Sequence, residues 1–262
     1  MTEHAGRASG ARVEWGSQGK VAGYSRPGTL AEALDLLEQP GAVVLAGGTR
    51  LNTDPRLDPV RVVDLQALGL SGISRLGDGA LRIGAMATLQ QVVDDEGLPV
   101  ALRDAARRSE ASALRTLATV GGYVARAEPE SEFLATLLVH DAQVVLAGRD
   151  GEQTLQLAVL LADLPRLAGR IVTAIAIDGT GVTSSARVGR TRADRPIVAA
   201  VARRTPDGEL RLALTGVAST PVLVAPALAA EELDPPNDFR GSSEYRRALA
   251  ATLVARVLEA VG

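Results

Sequence analysis

Apolar positions recur along this chain with two different periods, and the change of period marks out its elements. Leu30, Ala33, Leu34 and Leu37 fall three and four apart, which puts them on one face of a helix. Thr29 stands just before that run and Glu32 three residues later, so Thr29 is the expected N-cap and Glu32 its capping-box partner. Pro40-Gly41 ends the helix. The continuous apolar run 42–45 predicts a short strand, and 61–65, with Val62, Val63 and Leu65, a second. This opening reads as a small α/β lobe over about 21–68, preceded by a polar, glycine-rich leader over 1–20.

A second unit starts at Gly69 and runs to about residue 180. Asp78-Gly79 is a hairpin signal, and 81–85 alternates as a strand does. Thr88 caps a helix carrying Leu89, Val92 and Val93, and a further helix is predicted over 99–110. Residues 129–138 read as a helix with acids at its start, where the helix dipole favours them, and His140 lies at its end. Strands at 143–147 and 153–157 flank the turn Gly148-Arg149-Asp150-Gly151, and 171–177 is another strand. A third unit, 183–262, shows strands at 197–202 and 209–214 around Pro206-Asp207-Gly208. After the break at Pro235-Pro236 it ends in a helix over 243–261 with Leu249, Leu253, Val257 and Val261 on one side. The expected fold class is α+β.

Composition narrows the chemistry. Of 262 residues 46% are hydrophobic, 23% charged and 2% aromatic, with a net charge of −3, a balance that argues against nucleic-acid binding and base stacking. The absence of cysteine excludes disulfides, a thiol nucleophile and iron–sulfur ligation by this chain. Two histidines, His4 and His140, cannot build a zinc cluster. No stretch is apolar and long enough to span a bilayer, and residues 1–20 lack the apolar core of a signal peptide, so the expected location is the cytoplasm. Acidic runs such as Asp94-Asp95-Glu96 and Glu231-Glu232 read as solvated or capping charges. The pairs Arg107-Arg108, Arg203-Arg204 and Arg246-Arg247 read as exposed faces or subunit contacts.

Two glycine segments carry the candidate chemistry: Val44-Leu45-Ala46-Gly47-Gly48-Thr49 and Ala118-Thr119-Val120-Gly121-Gly122. A glycine pair removes two Cβ atoms and permits positive φ. Successive bare N–H groups then form a concave anion nest, to which a threonine hydroxyl adds a donor. Two such segments suggest two walls closing on a diphosphate.

The order AGGT, LRIGAMATL, LRTLATVGG, AEPESEF and GSSEYRRALAATLVARVL, over roughly 21–261, resembles the flavin subunit of molybdenum hydroxylases, the medium subunits of carbon monoxide and xanthine dehydrogenase-type enzymes. The resemblance implies a two-lobed PCMH-type FAD-binding fold followed by a C-terminal α+β domain of the carbon monoxide dehydrogenase flavoprotein type. It places the FAD diphosphate between Leu45, Ala46, Gly47, Gly48, Thr49 and Arg50 on one side and Thr119, Val120, Gly121, Gly122 and Tyr123 on the other. It sets Ala85 and Thr88, in the segment 83–88, beside the cofactor. It gives Glu132, with Ser131 next to it, a hydrogen bond to the cofactor's sugar, and puts Arg187, Arg190 and Asp194 beside the flavin ring. The implied function is electron transfer from [2Fe–2S] clusters on a small subunit, through FAD, to NAD or another acceptor. Substrate is hydroxylated on a molybdopterin-binding large subunit, and the assembly implied is a dimer of heterotrimers. Arg50, Tyr123, Glu132, Arg170 and Asp178 depart from the family pattern. Arg50 and Tyr123 leave open a divergent structural or assembly subunit of the same fold with weak or no FAD binding.

Overall fold

A computed structural model describes residues 21–49, 60–191, 194–227 and 230–262. The chain opens with β1 (Val21–Ser25), α1 (Leu30–Leu37), β2 (Ala42–Leu45) and β3 (Val60–Asp64), which form a parallel three-stranded sheet in the order β1-β3-β2. Strand β1, Val-Ala-Gly-Tyr-Ser, has neither an apolar run nor an alternation, so pairing with β3 creates it and hydropathy does not announce it. Thr29 caps α1 as expected, accepting from the Glu32 amide at 3.2 Å. The Glu32 carboxylate, however, reaches one residue further back, to the Gly28 amide at 3.0 Å. Asp64, 2% exposed, terminates β3 by accepting from the Gln66 amide at 2.9 Å and from the Tyr24 hydroxyl, which ties β1 to β3.

Next come β4 (Ile73–Gly77), β5 (Ala80–Gly84), α2 (Leu89–Asp94), α3 (Val100–Ser109), α4 (Ser112–Arg115), α5 (Val120–Arg126), α6 (Glu132–Val139), β6 (Gln143–Gly148), β7 (Gly151–Gln156), α7 (Leu157–Ala162) and β8 (Ile171–Asp178). The five strands form an antiparallel sheet in the order β4-β5-β8-β6-β7. Asp78 and Gly79 both take positive φ, 48° and 80°, the conformation of a type I′ hairpin turn. Residue 157, expected to end a strand, begins α7 instead: Leu157, Leu160 and Leu161 share helical spacing and all are buried.

The last sheet is antiparallel, β12-β11-β10-β9, built from β9 (Val182–Val188), β10 (Val198–Arg204), β11 (Leu210–Thr215) and β12 (Val222–Val224), and is followed by α8 (Ser243–Val261). Its central strand β10 is buried on both faces. Helix α6, wholly buried, packs on one side, and Ala250, Leu253, Val257 and Val261 of α8 pack on the other. The edge strand β9 carries Thr, Ser and Arg at half-buried positions, a composition without a strand signal.

Two of the arginine pairs turn inward, against the expectation of exposed faces. Arg203 is fully buried on β10, donating to the carbonyls of Val139 (3.1 Å) and Thr180 (2.8 Å) and pairing with Asp178. Arg246, 1% exposed, donates to the carbonyls of Ile197 (2.9 Å) and Gly216 (2.8 Å) and forks onto both Asp238 oxygens at 2.8 Å. Each guanidinium spends its donors on carbonyls at the ends of helices, strands and turns, and its charge is balanced by Asp178 with Asp141 for Arg203 and by Asp238 for Arg246. Sequence adjacency hid this, because Arg204 and Arg247 are half-buried while their neighbours are buried.

His140 belongs to the same seam. It caps the end of α6, as expected. Its Nδ1 lies 2.6 Å from the Asp178 carbonyl, so Nδ1 carries the proton and Nε2 accepts from the Thr183 hydroxyl at 3.1 Å. Burial pushes its pKa down to about 4. The unfolded chain therefore binds a proton near pH 6.5 that the folded chain refuses until about pH 4, and stability falls as pH drops through that window. Between pH 7.5 and 5 this histidine should remove about 2 kcal/mol of stability. Urea unfolding at both pH values, compared with His140→Gln, checks this: the variant's stability should depend less on pH by that amount.

Candidate functional site

The two glycine segments meet in space. Gly48, at φ 70°, turns the chain out of β2. A Cβ on Gly47 would stand 1.7 Å from the Leu117 carbonyl oxygen, so the first turn lies with its backbone directly against the second segment. Among the described residues none accepts from the amides of Gly47, Gly48 and Thr49, three adjacent donors. This half of the arrangement has the form of an anion nest.

The second segment is built differently. It is no free-standing turn: Thr119 is the N-cap of α5, and Gly121 and Gly122 lie in its first turn with negative φ. The Thr119 hydroxyl accepts from the Gly122 amide at 3.2 Å. The amides of Val120 and Gly121 donate to the carbonyls of Ala87 and Ala85 at 2.9 and 2.8 Å. Those donors are already spent, which corrects the reading of two equivalent nests. What this side contributes is a bare surface. A Cβ on Gly121 would come within 2.8 Å of the Ala85 Cβ, so glycine lets α5 sit close against the end of β5.

Between the segments opens a cavity of about 500 Å³. Ala46, Gly47, Gly48, Thr49, Ala85, Thr119, Gly121, Gly122 and Tyr123 all line it, so nine of the expected positions come together. Leu45 and Val120 position the segments without lining the cavity, and Arg50 lies outside the described residues. Thr88 faces an adjoining groove of about 470 Å³ that shares Ala46, Gly47, Met86 and Thr119 with the cavity. The apolar wall, Val44, Leu65, Met86, Leu167, Ile171 and Val172, carried no sequence signal of its own, because these positions also read as core. Among the described residues no carboxylate lines the cavity, while Arg126 and Arg170 do.

Ser131, Glu132 and Arg187 gather elsewhere, in a tight cleft with Arg108 and Arg195 that shares only Tyr123 with the main cavity. Glu132, 4% exposed, is gripped by Arg108 at 2.5 and 3.3 Å and lies 3.6 Å from Arg187. Arg187 also donates to the Asp194 carbonyl, and Arg190 lies 3.7 Å from the Asp194 carboxylate, so the three meet one another, but none of them lines the main cavity. Arg108 is exposed, as the sequence leads one to expect, but it also holds an acid twenty-four residues away, beyond the reach of helical pairing rules. Tyr123 is 6% exposed and packs edge-on against Phe133, with ring centroids 5.8 Å apart. Its hydroxyl donates to Glu110 at 2.9 Å and lies 3.2 Å from the Ser109 carbonyl oxygen, and burial first, then Glu110, raises its pKa. The ring is a wall residue whose polar end is already satisfied.

The family described as the FAD binding domain in molybdopterin dehydrogenase matches residues 18–177. Protein YgfM of Escherichia coli K12 is 35% identical over 248 aligned residues, covering 88% of this chain and 93% of YgfM. The carbon monoxide dehydrogenase medium chain of Afipia carboxidovorans is 30% identical, covering 90% of this chain and 95% of the relative. Among solved structures, a chain of reconstituted CO dehydrogenase from Oligotropha carboxidovorans superposes with a TM-score of 0.80 at 25% identity, over 91% of this chain and 96% of that one. A chain of quinoline 2-oxidoreductase from Pseudomonas putida 86 shares the fold with the same TM-score at 24% identity, over 91% of this chain and 95% of the other. This chain belongs to the family of FAD-binding medium subunits of molybdenum hydroxylases.

Proposed function

We propose that this chain is the electron-transfer subunit of a multi-subunit molybdenum hydroxylase, holding FAD in the cavity between the Gly47–Thr49 turn and the Thr119–Gly122 helix start. The observation that carries the reading is the set of three adjacent amides with no acceptor among the described residues on one wall, across from a glycine surface on the other. A diphosphate entering a partly buried cleft needs such preorganised donors, because an unpaired buried charge is costly. The cavity volume lies within the roughly 300–1,000 Å³ usual for cofactor sites. The donor set, the missing carboxylates and the apolar remainder all suit a dianionic cofactor with a flat aromatic ring.

Bound there, FAD supplies the electron carrier, and the protein supplies position and electrostatics. Gly47 and Gly121 let the walls approach, Thr49 and Thr119 flank the donors, and Val44, Leu65, Met86 and Ile171 exclude water. The electron source in this reading is a [2Fe–2S] small subunit, consistent with a sequence that has no cysteine to hold a cluster. The hydroxylation centre is a molybdopterin-binding large subunit, the acceptor is NAD or another oxidant, and the assembly is a dimer of heterotrimers. The names of the relatives, medium chain and dehydrogenase, support the division of labour. The structural-subunit alternative loses Tyr123 as an argument, since its hydroxyl is occupied at Glu110 and Ser109.

Purified full-length chain should carry flavin absorbance, and the flavin-free chain should gain thermal stability when FAD is added at about 100 times Kd, by about 2.7 kcal/mol. Colourless protein without a thermal shift would return the structural-subunit reading. Gly48→Val and Gly121→Val should lose flavin while circular dichroism retains the α8 signal; full flavin content in both would reduce the glycines to scaffold. Tyr123→Phe should cost about 1 kcal/mol of stability in urea unfolding and leave FAD affinity within about twofold.

A further inference from the structure

Met86 stands just after β5 and lines both the cavity and the adjoining groove. It is half-buried and packs, with Ile171 of β8, against Ala33 and Leu34 of α1, Val63 of β3 and Leu65. One side chain thus belongs to the cofactor wall and to the contact between the three-stranded and five-stranded sheets. Its backbone is pinned there, the amide donating to the Leu70 carbonyl at 2.9 Å. The chain has no cysteine, and its other methionine is Met1, so Met86 holds the only sulfur among the described residues. No histidine or tryptophan among the described residues lines either space. A mild oxidant entering the site therefore meets one soft, reactive atom.

We propose that Met86 is an oxidation-sensitive site of this cavity, and that its conversion to the sulfoxide by hydrogen peroxide weakens FAD binding. The inference rests on the FAD reading above. In the step a sulfur lone pair takes one peroxide oxygen, the O–O bond breaks and an S–O bond forms. The other oxygen leaves as water, taking up the proton that the transferred oxygen gives off. Sulfur loses two electrons and peroxide gains them. Peroxide is what forms when oxygen accepts two electrons and two protons, as it does wherever oxygen serves as the acceptor. The product is polar and chiral where the thioether was apolar and adaptable. Val44, Leu65 and Ile171, in the same wall, offer its oxygen no side-chain donor, so the change is costly there. Enzymatic reduction of the sulfoxide restores the thioether, which makes the modification reversible.

The test treats flavin-free, full-length protein with hydrogen peroxide, locates the added oxygen by peptide mass spectrometry and then titrates FAD by flavin fluorescence. The Met86 peptide should gain one oxygen atom, and FAD affinity should fall about fivefold or more. Methionine sulfoxide reductase should reverse both changes. FAD present at about 100 times Kd during treatment should slow oxidation of Met86 about tenfold or more, because little of the cavity is then empty. In Met86→Leu, peroxide should leave the affinity where it stood before treatment. Three results overturn the proposal: Met86 unoxidised at peroxide doses that convert free methionine, oxidation at equal rates with and without FAD, or oxidised protein that binds FAD within about twofold of untreated protein. An equal loss of affinity in Met86→Leu also overturns it. If that variant does not fold, reductase treatment that removes the oxygen without recovering affinity overturns it instead. A chain that takes up no FAD before any peroxide is added defeats the underlying reading as well, so the two failures are told apart.

Discussion

Cβ atoms have no room at Gly47 or Gly121: the first position fixes how the two lobes meet, and the second how α5 sits on β5 within the second lobe. At the first, backbone presses on the Leu117 carbonyl; at the second, the start of α5 presses on Ala85. A side chain at Gly47 would push the first lobe away from the second, and one at Gly121 would lift α5 off the end of β5; either would change the shape of the cavity. The amides follow from the same contact. Those of Val120 and Gly121 are used to lock α5 onto the end of β5, while those of Gly47, Gly48 and Thr49 face a space that the lock leaves empty. One wall is therefore rigid because its donors are spent, and the other is receptive because its donors are not.

A second constraint governs the rest of the molecule. Arg203 and Arg246 are buried cations, each bonded to carbonyls and balanced by aspartate, Asp178 and Asp141 for the first and Asp238 for the second. Breaking such a cluster by removing one partner costs about 3–5 kcal/mol, since the other charge stays buried. Arg203 joins β10 to Val139 and Asp178, next to neutral His140, so the last sheet is bolted to the end of α6 and β8. Helix α6 starts at Glu132, whose carboxylate is held by Arg108 and Arg187. Polar contacts thus tie both ends of this buried helix to its surroundings, and the apolar core fills what lies between.

The elements legible in the sequence were those whose signal is local. The α1 stripe, the Thr88 cap, the Asp78-Gly79 turn and the full length of α8 all rest on neighbours within four residues. What stayed hidden depends on distant partners. Strands β1 and β9 are weakly apolar edges that exist because β3 and β10 pair with them. The inward turn of Arg203 and Arg246 depends on carbonyls of other elements. Within the site, motif order found the glycine walls, but it could not show that one wall spends its amides and the other does not. Nor could it show that Glu132 sits in a separate cleft among arginines, or that Arg170 stands at the cavity wall.

The central claim is a division of labour between two glycine walls, and amide hydrogen exchange resolved by residue tests it most directly. In the flavin-free chain Val120 and Gly121 should already be protected, while Gly47, Gly48 and Thr49 exchange freely. Added FAD should protect those three and leave Val120 and Gly121 nearly unchanged. Free exchange at Val120 and Gly121 before addition, or no new protection across Gly47, Gly48 and Thr49 after it, would contradict the account.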